Sequence, residues 1–200
     1  MELRTPAIVC ALRQHGETAA IVRLLTEGHG LIAAYVAGAR GRVLRPVLLP
    51  GNRVEADLRS RSDSQLPFAR VELLHSCGPW LTEPLCAAAL SWITALTAAA
   101  LPERQAYPSL YAALSGLVDA VCHAPSARGW MPGLIAYETL LLRELGYGGS
   151  APPDLDGDWS AMLAAYDRLG LQLERYVLAD RRADVMGARA LLRERLGRMG

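Results

Sequence analysis

The sequence predicts an α+β chain of two domains: a five-stranded β-barrel over residues 1–77, then an all-α domain over residues 78–200. Short apolar runs separated by turn residues fill the first half, and two of them alternate apolar and charged positions strictly. The second half instead carries apolar residues at helical spacing between proline and glycine stops. Between the halves, Ser76-Cys77-Gly78-Pro79-Trp80 breaks both patterns and marks the junction.

The first strand is expected over Ala7–Leu12, followed by a loop carrying Arg13, Gln14, His15 and Gly16. Ala20–Thr26 and Leu31–Ala37 are the second and third, separated by Glu27-Gly28-His29-Gly30. Runs this apolar suit strands covered on both faces or curled into a barrel, and by themselves they do not exclude helix. Arg53–Arg59 decides for strand, because every second residue is apolar and the others are charged. Ala69–Leu73 repeats the alternation, with turns at Pro50-Gly51 and from Ser60 to Ser64. The five-stranded barrel that binds oligonucleotides is the OB-fold, which meets its ligand with strands 2 and 3 and with the loops joining strands 1–2 and 4–5.

Arginines mark those same places. Gly38-Ala39-Arg40-Gly41-Arg42-Val43-Leu44-Arg45-Pro46 sets three of them within six positions after the third strand. Guanidinium groups on a flexible segment suit a polyanion, and a solvated loop is the plainer alternative. Arg13 lies in the first loop, Arg59 and Arg61 lie near the fourth, and Arg53 opens the fourth strand. Tyr35 on the third strand is either a half-buried barrel residue or a stacking surface for a base.

Five helices are expected beyond the junction. Thr82 is the expected cap of the first, which has Pro84 in its opening turn and stops at Leu101-Pro102. Pro108 opens the second, and Ala124-Pro125 closes it. The third spans Trp130 to Leu145, with Gly146 at its end. Asp158 is the expected N-cap of the fourth, which continues past Gly170 toward Leu178. Ala183–Arg198 is the last; its Arg189, Arg193, Arg195 and Arg198 read most simply as a solvated face, with a further nucleic-acid or acidic-peptide contact as the alternative.

Composition narrows the function classes. All 21 basic residues counted as Lys and Arg are arginines, so there is no lysine for a Walker-type phosphate site, a Schiff base or a kinase-type ATP site. The net charge is only +1, but residues 1–75 carry ten arginines against seven acids, which puts the excess on the barrel half. Cys10, Cys77, Cys86 and Cys122 lack metal-ligand spacing and read as free thiols. The four histidines form no zinc pattern, and no G-x-S-x-G or G-x-G-x-x-G motif occurs. Asp154, Asp156 and Asp158 alternate, but Trp159 and Ala165 stand where an EF-hand needs its glycine and bidentate glutamate. No enzyme, cofactor or metal is therefore expected. The alanine-rich run from Pro84 to Leu101, interrupted by Ser91, Thr94 and Thr97, reads as a buried helix rather than a membrane span. The N-terminus shows no secretory pattern, so a cytoplasmic protein is expected.

Several short patterns then fall in order. Gly16-Glu17, Thr26-Glu27 with Gly30, Ala37-Gly38-Ala39-Arg40 and Pro50-Gly51-Asn52 resemble the opening of the RecO family of recombination mediators. Tyr137 to Tyr147, ending Leu145-Gly146-Tyr147, resembles that family's helical signature. The resemblance implies an N-terminal OB barrel and a helical C-terminal domain. It implies binding to single- and double-stranded DNA, strand annealing, work with RecR, contact with the tail of single-stranded DNA-binding protein, and help in loading RecA at the nucleoid. It makes Arg40 a DNA-contact candidate by motif, while Arg13, Arg42, Arg45, Arg53, Arg59 and Arg61 follow from position and charge. Many members carry a four-cysteine zinc cluster after that signature; here residues 148–157 hold no cysteine, so the metal is expected to be absent. A protein-interaction adaptor with weak or no DNA binding is the competing function, kept open by the small net charge.

Overall fold

The computed structural model describes residues 2–62, 65–148, 158–179 and 185–199. Five strands, β1 (Glu2–His15), β2 (Ala19–Thr26), β3 (Gly30–Val36), β4 (Arg53–Arg59) and β5 (Phe68–His75), close into a barrel in the order β1-β2-β3-β5-β4. This is the OB arrangement. Its seam is the parallel β3–β5 junction, where Tyr35 is registered against Phe68.

β1 is longer than its apolar run at both ends. Glu2–Ile8 pairs with β4, and Ala7–His15 pairs with β2. The register skips Cys10 between Val9 and Ala11, and such a bulge bends a strand enough for it to serve two neighbours. Arg13, Gln14 and His15 consequently belong to the strand, and the turn is Gly16-Glu17-Thr18.

The unbroken apolar runs are explained by two cores. Ala7, Val9, Leu24 and Ile32 point into the barrel, while Ile8, Cys10, Leu25 and Leu31 point outward into a core shared with the helices. Both faces are dry, so alternation disappears there. β4 keeps its alternation because its charged residues stay half-exposed or exposed.

A 3-10 turn (Gly78–Thr82) leads to α1 (Pro84–Ala100), α2 (Pro108–His123), α3 (Ala127–Glu144), α4 (Trp159–Gln172) and α5 (Val185–Gly197). Thr82 does not cap α1. Its hydroxyl donates to the Pro79 carbonyl at 2.7 Å, and Glu83 occupies the N-cap without a side-chain bond. Asp158 does cap α4, accepting from the Ser160 and Ala161 amides. Past Gly170 the chain continues through Gln172 and then widens into a π turn at Leu173–Val177. Residues 149–157 of the loop before Asp158, including Asp154 and Asp156, and the first residues expected in α5 lie outside the described residues.

Arg189 departs clearly from a solvated face, whereas Arg193 stays partly exposed in a surface ion pair. Arg189 is 5 % exposed and donates to Glu138 Oε2 at 2.8 Å. Glu138 Oε1 accepts from Trp92 Nε1 at 2.7 Å, and the guanidinium lies 3.6 Å from the Tyr166 ring centroid. Burial pushes the Glu138 carboxyl up, and the Arg189 charge opposes that. The group therefore pins α5 to α1 and α3 from inside. Arg193 is the more exposed of the two and pairs with Asp167 at 2.7 Å.

Candidate nucleic-acid interface

One end of the barrel is taken by the helices. Arg104 N donates to Leu31 O at 2.8 Å, and a Cβ on Gly30 would sit 1.9 Å from Gln105 O. Arg23 donates to the Ala98 carbonyl and pairs with Glu103 at 3.1 Å. Arg53 pairs with Asp119 of α2. The opposite end carries the β1–β2 turn, the start of the arginine segment and the β4–β5 loop. Tyr35 N donates to Pro67 O at 2.8 Å, which ties that last loop to β3.

The arginine segment is built from the inside out. Gly38 adopts φ +65°, a conformation that costs glycine nothing, and Gly41 N closes a turn on Gly38 O at 2.9 Å. Ala39 and Leu48 are buried against the barrel core, so the intervening Arg40, Arg42 and Arg45 are left exposed. The exit of the segment is held by Asn52, fully buried, whose amide nitrogen donates to Pro46 O at 2.8 Å and Val47 O at 3.0 Å. Its Oδ1 accepts from Cys77 N at 2.7 Å, linking the segment to the junction with the helices. A buried amide with its main polar atoms satisfied is a rigid strut.

Arg40 is steadied by the neighbouring turn: its Nη1 donates to Glu17 O at 2.9 Å. Arg42 and Arg45 form no side-chain ion pair among the described residues. Arg59 and Arg61 line an open cleft of 980 Å³ with Glu2, Gln65, Leu66 and Phe68. Arg59 bonds both oxygens of Asp57 at 3.1 Å, and Glu2 approaches it at 3.4 Å. The Asp57 hydrogen bonds, with the charges of Asp57 and Glu2, raise the guanidinium's already high pKa. Arg13 lines a second cleft of 500 Å³ over the outer faces of β1, β2 and β3, together with Arg23, Ile21 and Ala33.

Arg53 stands apart from these groups. Its guanidinium pairs with Asp119 at the barrel–helix seam, where it ties β4 to α2. Tyr35 is half-buried, with its ring in edge contact with His15 at 5.9 Å and Phe68 at 5.1 Å. Phe68, the sole phenylalanine of the chain, is 64 % exposed in the cleft with Arg59 and Arg61. The sequence reasoning missed it, although an aromatic at the mouth of the β4–β5 loop was a readable signal.

The thiols offer no reactive centre of comparable definition. Cys10, Cys77 and Cys122 are buried, Cys86 is half-buried, and all four are free. Burial pushes the Cys10 thiol up to about 12. Among the described residues no group of three or more His, Cys, Asp or Glu side chains is placed to hold a metal ion. No helix among them is long and apolar enough to cross a membrane.

Comparison with known proteins bears on the family of the chain. Residues 1–77 match the family model described as recombination protein O N terminal, and residues 83–155 match recombination protein O C terminal. A DNA repair protein RecO from Phenylobacterium zucineum is 43 % identical over 150 residues, covering 74 % of this chain and 60 % of the relative. Its counterpart in Caulobacter vibrioides is 42 % identical over 171 residues, covering 84 % of this chain and 66 % of the relative. The one in Rhodospirillum centenum is 44 % identical over 149 residues, 74 % of this chain and 58 % of the relative. The chain therefore spans about 60 % of the length of the relatives it matches.

Proposed function

The chain belongs to the RecO family of DNA repair proteins, and we propose that it acts there as a non-enzymatic mediator that binds and anneals DNA strands. The observation that carries this is the exposed set Arg13, Arg40, Arg42, Arg45, Arg59 and Arg61 on the barrel's outer surface, away from the seam where Arg53 is committed. Guanidinium groups displace counterions from phosphates irrespective of sequence, which suits single and double strands alike. Annealing needs no covalent step: two strands must be held with their charge screened and their bases free to pair. Tyr35, with its ring edge-on to its neighbours, is the aromatic of this set.

Residues 1–77 would hold DNA, and residues 78–200 would dock proteins. RecR and single-stranded DNA-binding protein are the partners the family resemblance supplies, with RecA loading on coated single strands as the outcome, in the cytoplasm at the nucleoid. An adaptor role without useful DNA affinity is favoured by the net charge of +1 and by the carboxylates already on Arg59. A strand-annealing assay at low and physiological salt, run beside a pull-down with RecR and the coating protein, separates the two. The mediator anneals at low salt and loses activity as salt rises. Partner capture with no annealing or DNA binding at low salt assigns the chain to the adaptor role.

A further inference from the structure

Phosphate contacts do not read whether bases are paired, and by charge density alone the arginines do not favour a single strand over a duplex. The barrel surface carries a feature that does. Phe68 opens β5 at the barrel seam and remains 64 % exposed, although Tyr35 lies beside it at 5.1 Å with the two ring planes 68° apart. In such an edge-to-face contact each ring keeps at least one face clear of its partner. Tyr35 in turn meets His15 at 5.9 Å and 85°, so three rings from β1, β3 and β5 follow one another across the surface.

Phe68 borders one basic cleft, and its neighbour Leu66 joins that cleft to a second. Phe68 and Leu66 line the one with Arg59 and Arg61, while Leu66 also lines the one with Arg13 and Arg23. Leu66 is itself 42 % exposed, which makes the ridge apolar as well as aromatic. Alternation along β5 sends Ala69 and Val71 into the barrel and leaves Phe68 on the outside, where its ring adds nothing to the barrel core; an aromatic surface rimmed by cations suits a ligand with π faces and negative charge.

We propose that Phe68, backed by Tyr35, is a stacking step for unpaired bases of a DNA strand whose phosphates run between the two arginine clefts, and that this step sets the preference for single-stranded over duplex DNA. It rests on the DNA-binding role proposed above and adds the selectivity that the arginines lack. A duplex must break its own base stacking to use the ridge, whereas a single strand offers its bases directly. The carboxylates nearby (Glu2 and Asp57 on Arg59, Glu103 on Arg23) leave the clefts only moderately positive, which shifts weight from charge to stacking.

The test uses the full chain with a labelled thymidine oligonucleotide and a duplex of equal length, titrated at two salt concentrations. Phe68→Ala and Phe68→Leu are expected to weaken single-strand binding about tenfold while changing duplex affinity less than about twofold. The salt slope should not change, because no cation is removed. Phe68→Trp should restore the preference, and thermal melts of each variant report the fold. Equal losses on both DNAs, no loss on either, or full single-strand affinity in Phe68→Leu would overturn the stacking step while leaving the DNA-binding role standing. No binding of either DNA by the unaltered chain at low salt overturns both. Loss of a protein partner with DNA affinity intact makes the ridge a protein-docking site and also overturns the proposal.

Discussion

Replacing Arg189 with methionine removes one charge from a fully enclosed group. Glu138 is then left with 0 % exposure and no cation, keeping only the Trp92 indole as a donor. The variant also loses the donation to Tyr166 O and the cation–π contacts to Trp92 and Tyr166. Breaking a buried ion pair by removing one partner costs about 3–5 kcal/mol. Against a total stability of about 5–15 kcal/mol, that is enough to loosen α5. Adding Glu138→Gln removes the stranded charge while its amide oxygen can still accept from the Trp92 indole, so the double variant should regain much of the loss. Urea unfolding of the single and double variants measures the coupling. A loss below about 1 kcal/mol for Arg189→Met, or no recovery in the double variant, would refute the view that this pair pins α5.

Gly170→Ala tests the same enclosure from α4. In an exposed helix interior the change stabilises by about 1 kcal/mol, but here the new Cβ would lie 2.2 Å from Arg189 Nη1. The sign should reverse, giving a lower midpoint in urea. Gly30→Ala meets backbone rather than a side chain, at 1.9 Å from Gln105 O and with φ +67°, so it should separate β3 from the α1–α2 connection. Limited proteolysis near residue 105 reports that separation, and an unchanged digestion pattern contradicts it. Hydrogen bonds from Ser160 and Ala161 hold the Asp158 carboxyl below its ordinary 3.8, so its contribution to folding is present above that value and is lost as pH falls through the lowered one. Protection of the amides at the start of α4, taken relative to their intrinsic exchange rates, should therefore fall in acid, and Asp158→Asn should remove that component; equal acid sensitivity in both chains would assign the effect elsewhere.

The barrel was legible where one strand face is wet. β4 and β5 show period-2 alternation, and β4 begins and ends where the alternation does. β1 starts ahead of its apolar run because Glu2, Arg4, Thr5 and Pro6 interrupt the pattern around Leu3, and these residues gain their place only by pairing with β4, a contact no local pattern encodes. The proline-started helices α1 and α2 and the Asp158 cap are local signals and were readable as such, except that Thr82 belongs to a turn. Charged residues were the hardest to place. Arg53 and Arg189 look like any other arginine in the sequence, and only tertiary contacts with Asp119 and Glu138 take them out of solvent-facing roles. The glycines around Arg40 are compatible with an exposed loop, but the buried Asn52 that anchors it was visible only as part of a family pattern.

The most direct test of cationic strand binding is the salt dependence of affinity for a mixed-sequence single strand, comparing the unaltered chain with Arg40→Glu/Arg42→Glu/Arg45→Glu. Each neutralised phosphate contributes about −0.7 to the slope of log affinity against log salt for single strands. The account predicts a negative slope in the unaltered chain, and a shallower slope with weaker binding to every sequence in the triple variant. Affinity that ignores salt, or a triple variant with the same slope and strength, would contradict it.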